Sequence, residues 1–312
     1  MYRNLNPIYD LIGFLQVIIW IIREKPDLIH CHSAKGGMFG RLAGWLTGTK
    51  TLYTPHAFSY LCTPSKLKRN IFLWMERYTK PGTYLLACSK SEREMGIKEV
   101  KYKQSRALVW QNAVPDALPI AVQQQNKKTE LFACYIGRPC YQKNTLFLVN
   151  VIEKVKAKGC PLKFVLLGVG YFSSELEELK RKISTAQLDD VIRIEPWISH
   201  EECLGYLKSA MFYVTTSLYE GLPLSVIEAM SLGKAVIASD VIGNRDCVSN
   251  EKNGYLLPFD TEIFADKIVS LWSDNNTRTR FEENSRKIFI SDFLIDTQIN
   301  KLHDIYVKIY RA

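Results

Sequence analysis

Met211–Gly233 reads M-F-Y-V-T-T-S-L-Y-E-G-L-P-L-S-V-I-E-A-M-S-L-G. Its first six residues (211–216) form a short apolar run bounded by polar residues, the signature of a strand buried on both faces. Gly221 interrupts the chain, Pro223 stands near the first position of a helix, and Gly233 follows its end, the usual punctuation of a helix. A buried strand that passes through a loop into an apolar helix is one repeat of an α/β sheet. Working outward, the same alternation recurs. Further strands are expected at 131–137, 163–168, 191–195, 234–239 and 254–258, with helices near 144–158, 173–185, 200–209, 223–232 and 261–273. Upstream, 26–33, 50–56, 83–89 and 107–114 predict a second group of parallel strands separated by helices. The polar stretch A-V-Q-Q-Q-N-K-K-T-E (121–130) lacks periodicity and marks a linker, and 278–311 is helical in pattern without a strand partner.

The chain has 312 residues, 47% of them apolar and 23% charged, a globular composition that excludes disorder and fits two domains. Eight cysteines are scattered, without a C-x-x-C pair and without clustering among the five histidines, which points to free thiols in a reducing compartment and away from disulfides or zinc. The apolar stretch L-I-G-F-L-Q-V-I-I-W-I-I (11–22) is too short to span a bilayer and lacks a cleavage site, so a buried helix is expected, the rival reading being a helix that lies on the membrane. The net charge of +9 is uneven: 17 Lys and Arg stand against 8 Asp and Glu up to residue 120, and 24 against 24 beyond it. A basic first part suggests an anionic membrane surface. A nucleic-acid partner is not expected, because no recognition motif with interleaved aromatics is present.

Ligands of open α/β sheets sit at the carboxyl ends of the strands. Free amides at the helix start after Gly221 suit a phosphate. Glu228, five residues into that helix, lies about 7–8 Å along its axis at roughly 1.5 Å per residue, the reach from a phosphate to its ribose. As a single carboxylate on an otherwise apolar helix it calls for a partner. Glu220, ahead of the helix, would face the other end of a diphosphate. Both glutamates also admit plainer roles, Glu220 favouring the helix dipole and Glu228 a solvated position. In G-R-P-C-Y-Q-K-N (137–144), Arg138 and Lys143 can neutralise a diphosphate or simply be solvated. Gly168 and Gly170 in G-V-G-Y-F (168–172) suit a tight turn beside a planar ligand, although no third glycine completes a dinucleotide fingerprint.

Strand, loop, then Glu, seven residues, Glu, with G-R-P-C-Y-Q-K-N ahead, resembles the nucleotide-sugar domain of family 4 retaining glycosyltransferases of the GT-B fold. The resemblance extends over nearly the whole chain. P-D-L-I-H-C-H-S-A-K-G-G-M-F-G-R-L-A-G (26–44), Y-T-P-H-A-F (53–58) and A-C-S-K-S-E-R (87–93) are similar to segments of that family's first domain, W-Q-N-A-V (110–114) to its interdomain crossing, and V-I-G-N-R-D-C-V (241–248) with N-G-Y-L-L-P (253–258) to the end of its donor site. It implies two Rossmann-like doubly wound domains facing a cleft: a partial acceptor-side domain at 1–120, a nucleotide-sugar domain at 121–277, and a helical segment at 278–312 packing back toward the first. It assigns Glu228 to the ribose hydroxyls, Glu220 to the donor-sugar hydroxyls, the amides of Gly221, Leu222, Pro223–Leu224 and Ser225 with Arg138 and Lys143 to the diphosphate, and His56 to the face opposite the donor. His30 and His32 keep the plain reading of core histidines. Pro196 stands where the family often has glycine.

The implied activity is transfer of a hexose or N-acetylhexosamine from a nucleotide sugar, expected to be UDP-linked, to a lipid-linked or growing saccharide. Retention by front-face attack needs no protein nucleophile, and with no D-x-D motif neither metal nor cofactor is expected. The family's opening strands and glycine-rich loop are not in this sequence, so the strand at 27–32 should have an open edge that could pair with a partner chain. Two other classes fit the same residues: a non-catalytic or split-enzyme subunit that binds nucleotide sugar, and a nucleotide-sugar epimerase. The expected location is the cytoplasm, at the inner face of a bacterial membrane.

Overall fold

A computed structural model describes residues 6–122, 131–170 and 173–311. In chain order it contains α1 (Pro7–Glu24), β1 (Leu28–His32), α2 (Ala34–Thr47), β2 (Lys50–Thr54), α3 (Lys66–Tyr78), β3 (Tyr84–Ala87), α4 (Lys90–Lys98), β4 (Ala107–Val109) and α5 (Leu118–Val122). There follow β5 (Phe132–Ile136), α6 (Thr145–Ala157), β6 (Lys163–Leu167), α7 (Leu176–Thr185), β7 (Ile192–Ile194), α8 (His200–Ser209), β8 (Tyr213–Thr215), α9 (Leu224–Ser231), β9 (Val236–Ser239), α10 (Asn244–Cys247), β10 (Gly254–Leu257), α11 (Thr261–Ser273), α12 (Asn275–Ile288) and α13 (Ile295–Arg311). Two compact units result: residues 1–112 with 298–312, and residues 113–297. The division falls at 112/113, ahead of the expected boundary at 120/121. The C-terminal segment is shared, with α12 inside the second unit and residues from Gln298 inside the first. Most of the expected linker, 123–130, lies outside the described residues.

The first unit holds a parallel sheet in the order β1-β2-β3-β4. Cys31, Tyr53, Phe58, Leu85 and Ala87 build one core, and on Leu52 and Leu86 the segment around Ile309, Leu302 and Tyr306 of α13 builds another. Among the described residues β1 pairs only with β2, leaving its outer edge open. The apolar stretch 11–22 does form a helix within α1, but it is not the buried helix expected: only Ile21 is buried, and Leu11, Leu15, Ile19, Trp20 and Ile22 are exposed. The reason is that α1 has its main contacts with α2 alone, so one side of an almost uniformly apolar helix is covered.

The second unit holds a six-stranded parallel sheet in the order β10-β9-β8-β5-β6-β7. The order runs one way from β5 through β7 and the other way from β8 through β10, so the winding reverses between β5 and β8. This is where a crevice opens at the carboxyl ends of doubly wound strands. Val149, Ile152, Phe164, Leu166, Val214, Ile237 and Ile268 are among the side chains that fill its core. The strands are near-continuous apolar runs, as strands covered on both faces must be.

Candidate active site

The reversal between β5 and β8 sets two loops side by side, 137–144 after β5 and 216–223 after β8. They are cross-braced. The Leu218 amide donates to the Gln142 carbonyl at 2.8 Å, the Gln142 side-chain amide donates to the Tyr219 carbonyl at 3.2 Å, and the Thr216 hydroxyl donates to the Lys143 carbonyl at 3.2 Å. Within this frame the Lys143 ammonium lies 2.6 Å from Glu220 Oε1, and Gln142 Nε2 reaches Glu220 Oε2 at 3.3 Å. The Glu220 side chain is 8% exposed and that of Lys143 20%. Lys143, expected beside a phosphate, neutralises Glu220 in the structure. A carboxylate this buried needs such a partner.

Glycines allow the close approach. Gly243, at φ +82°, packs so tightly that a Cβ there would stand 2.8 Å from the Gly221 carbonyl oxygen and 2.9 Å from the Glu220 Cβ. Gly168, at φ +93°, faces the Gly137 backbone, where a Cβ would come to 3.2 Å from the Gly137 nitrogen. Gly170 is held by its amide donating to Ser173 Oγ at 3.0 Å and packs against the ring of Trp197, which supplies a flat apolar surface at this end of the sheet. Tyr171 and Phe172 lie outside the described residues.

Pro223 is the N-cap of α9, one position earlier than a first helical residue, and no side chain caps the helix. Pro offers no hydroxyl or carboxylate to its own helix, so the amides of Leu224 and Ser225 point from the first turn toward whatever lies ahead of it. Gly221, Leu222 and Pro223 are buried, Leu224 is exposed, and the Ser225 hydroxyl is held at 2.9 Å from the buried Tyr213 hydroxyl. Glu228 sits on the same helix, its side chain 18% exposed, with Oε1 2.9 Å from Nε2 of His200 at the start of α8. The partner that a carboxylate on this apolar helix calls for is therefore an exposed histidine. Burial, with the Glu228 charge adding to it, pushes the neighbouring Cys203 thiol up to about 11, so it stays protonated at neutral pH. Arg138, half-buried, belongs to the same loop as Lys143.

His56 belongs to the first unit. It follows β2 at φ +53°, and Ala57 follows at φ +77°, two successive left-handed residues without glycine. Such a backbone persists only where its surroundings hold it. Here the buried Glu92 of α4 does so: Oε1 accepts the Ala57 amide at 2.8 Å and Oε2 accepts the Cys88 amide at 2.8 Å. His56 Nε2 lies 3.0 Å from His32 Nδ1, with the two rings stacked. His30 is held between the Tyr306 hydroxyl at 2.8 Å and the Thr54 hydroxyl at 2.9 Å. The plain reading of His32 is thus corrected: it is exposed and bonded to His56, whereas His30 is a satisfied, half-buried histidine. The alternation H-C-H, which points residues 30 and 32 to one face of β1, was the available signal. Partial desolvation where the two rings stack lowers both His32 and His56 below the usual histidine value, with the His32 charge adding to it at His56.

None of the eight cysteines is in a disulfide. Among the described residues no three His, Cys, Asp or Glu side chains converge on a possible metal position, and no helix is long and apolar enough to cross a membrane.

Comparison with known proteins agrees with this arrangement. Residues 119–288 match the model of "Glycosyl transferases group 1", and residues 2–118 match "Glycosyltransferase Family 4". A UDP-Gal:alpha-D-GlcNAc-diphosphoundecaprenol alpha-1,3-galactosyltransferase from Escherichia coli is 27% identical over 98% of this chain and 81% of its own length. The capsular polysaccharide biosynthesis glycosyltransferase CapM of Staphylococcus aureus is 23% identical over 99% of this chain and 84% of its own. Among solved structures, sucrose-phosphate synthase from Thermosynechococcus elongatus superposes with a TM-score of 0.82 at 19% identity, covering 96% of this chain and 77% of that one. HepE from Anabaena, in complex with UDP-glucose, gives 0.79 at 16%, covering 95% and 82%. The chain belongs to the group 1, family 4 glycosyltransferases of the GT-B fold, and is a glycosyltransferase.

Proposed function

We propose that the chain transfers a hexose or N-acetylhexosamine, with retention, from a UDP-sugar to a lipid-linked or growing saccharide in surface polysaccharide synthesis. The observation that carries this reading is the Lys143–Glu220 pair beside the uncapped start of α9, with Glu228 farther along the same helix: cation, amides and two carboxylates in one crevice. In this reading the ribose hydroxyls donate to Glu228, which leaves His200. The diphosphate takes the amides of Gly221, Leu222, Leu224 and Ser225 together with Arg138 and Lys143, and donor-sugar hydroxyls take over Glu220. Lys143 and Glu220, paired at 2.6 Å, thus exchange each other for the two ends of the donor. The bond from the anomeric carbon to the diphosphate oxygen breaks while the acceptor oxygen bonds on the same face. The acceptor proton passes to the departing phosphate. Cationic side chains and helix amides stabilise the leaving diphosphate, so the reading requires neither a resident cation nor a cofactor.

The relatives in polysaccharide pathways, one of them a UDP-Gal transferase onto a diphosphoundecaprenol-linked sugar, support the choice of donor and acceptor class. The test is product formation from UDP-sugars with undecaprenol-linked acceptors, with anomeric configuration read by NMR, and calorimetric titration of UDP into the unaltered chain and Glu228→Ala. Undiminished UDP binding in the variant would sink the ribose assignment. The edge of β1 that is unpaired among the described residues favours a second reading, in which the chain binds nucleotide sugar as one subunit and another chain completes the enzyme. UDP binding without turnover until a partner is added would favour it.

A further inference from the structure

Helix α3 carries an apolar stripe that its own unit does not cover. Leu67, Ile71, Trp74 and Tyr78 recur at i, i+4, i+7 and i+11, a spacing that normally faces a core. They are instead 71%, 47%, 59% and 64% exposed. The helix is fixed in this rotation. Glu76 points inward, with Oε2 2.9 Å from Arg41 Nη2 and Oε1 accepting from the Tyr53 hydroxyl at 3.0 Å and the Ser59 hydroxyl at 2.9 Å. Arg41, 1% exposed, lies over the Tyr53 ring at 4.0 Å. Rolling α3 to bury the stripe would draw this ion pair out of the interior and leave its polar partners unsatisfied.

The stripe is bordered by cations. Lys66, Lys68, Arg69 and Arg77 are exposed, and the helix's one acid is the buried Glu76. Beside Trp74 and Tyr78, whose rings lie 4.9 Å apart, an open groove of about 500 Å³ gathers Arg77, Lys80 and Lys101. Backbone carbonyls hold two of them: Lys80 donates to Val100 and Lys101 at 2.6 and 2.7 Å, and Arg77 donates to Glu99 at 2.8 Å. The acid at this rim is Glu99, 3.9 Å from Arg69.

Aliphatic residues along a stripe, aromatic rings at one end and Lys and Arg on the flanks match the layers of a bilayer interface. A second copy set α3 against α3 would oppose cation to cation, and a nucleic acid would leave Leu67 and Ile71 in water. We propose that α3 lies on an anionic lipid bilayer, with Leu67, Ile71, Trp74 and Tyr78 entering the acyl boundary and Lys66, Lys68, Arg77 and Lys101 meeting headgroup phosphates. This surface belongs to the first unit and is independent of the nucleotide-sugar reading.

The test is sedimentation of the full chain with vesicles of phosphatidylcholine alone and of phosphatidylcholine mixed with phosphatidylglycerol. The expected result is binding to the mixed vesicles, weakened by high salt in the unaltered chain. Each of Lys66→Gln, Lys68→Gln and Arg77→Gln should lower affinity roughly fivefold, and Ile71→Ser with Trp74→Ser at least about tenfold. Equal binding to neutral and anionic vesicles, insensitivity to salt, or variants that bind as the unaltered chain does would each overturn the proposal. So would a concentration-dependent dimer abolished by the same variants, which would assign the stripe to a second copy. The substituted positions are exposed, and circular dichroism with UDP titration checks that each variant is folded. Absence of UDP binding in a chain that still sediments with anionic vesicles would sink the donor reading alone.

Discussion

Replacing Glu220 by Gln should improve UDP binding while damaging turnover. Lys143 is engaged by Glu220 at 2.6 Å, so a diphosphate that recruits this lysine must first separate the pair. At an effective dielectric of about 20 the gross attraction at that distance is roughly 6 kcal/mol. Desolvation returns most of it, because Glu220 is 8% exposed, Lys143 retains 20% of its surface in water, and Gln142 already donates to the other carboxylate oxygen. A net hold of about 1–2 kcal/mol is reasonable for a pair intermediate between surface and interior. Releasing it should tighten UDP roughly fivefold to thirtyfold. UDP-sugar shares that gain but loses a charged acceptor for its sugar hydroxyls, worth about 1.5–3 kcal/mol, so kcat/KM should fall roughly tenfold to 150-fold relative to the affinity for UDP. Calorimetry with UDP and initial rates with UDP-sugar, on the same preparations, read the two effects separately. A Glu220→Gln protein that binds UDP tenfold more weakly would refute the exchange of partners, since it would mean that Glu220 supports the diphosphate site.

Three further outcomes follow from the geometry. Glu228→Gln should lower UDP affinity about tenfold to 100-fold and abolish the preference for UDP over its 2′,3′-dideoxy analogue, yet shift stability by less than about 1 kcal/mol, because its partner His200 is 61% exposed; an unchanged preference on calorimetry would show that the ribose lies elsewhere. Gly243→Ala should destabilise the second unit by roughly 2 kcal/mol or more, since φ is +82° and the new Cβ would meet the Gly221 carbonyl at 2.8 Å; a melting temperature equal to that of the unaltered chain would contradict this. Burial, with His32 and His56 adding, pushes His30 down to about 4, so the fold accepts its neutral form while the unfolded ring titrates near 6.5. The unfolded state therefore binds more protons between these values: the stability is complete above pH ~6.5, falls as pH drops toward 4, and levels below it, by about 2 kcal/mol after allowance for partial exposure. Urea midpoints measured across this range should flatten in His30→Gln, and an unaltered slope would assign the acid sensitivity to other groups.

Much of the fold was legible because parallel strands covered on both faces are written as local apolar runs. K-F-V-L-L at 163–167 and V-I-A-S at 236–239 name themselves without knowledge of their neighbours. The strand order, and hence the reversal between β5 and β8, follows from pairing that no local run encodes. The site divides in the same way. Glu220 and Glu228 share one short stretch, and their spacing on a helix start was readable. Their partners were not: Lys143 is 77 residues from Glu220 and His200 is 28 from Glu228, so both pairings exist only once the sheet brings the loops together. The α1 stretch shows the converse, for apolar composition reveals what a helix would prefer to bury and not how much cover it receives.

The chain passes between its two units twice, at 112/113 and again at 297/298. A ribosome therefore delivers the second unit whole before it releases the residues that finish the first. Until the last turns of α13 emerge, Leu52 and Leu86 lack Ile309, and the Trp110 indole N–H lacks the Gln298 carbonyl that accepts it at 3.0 Å. The order of synthesis is thus the reverse of the order of completion: the unit that holds β1 is closed after the unit that holds β5, and a stop codon directly after residue 297 would leave residues 113–297 intact while denying the other unit its seal.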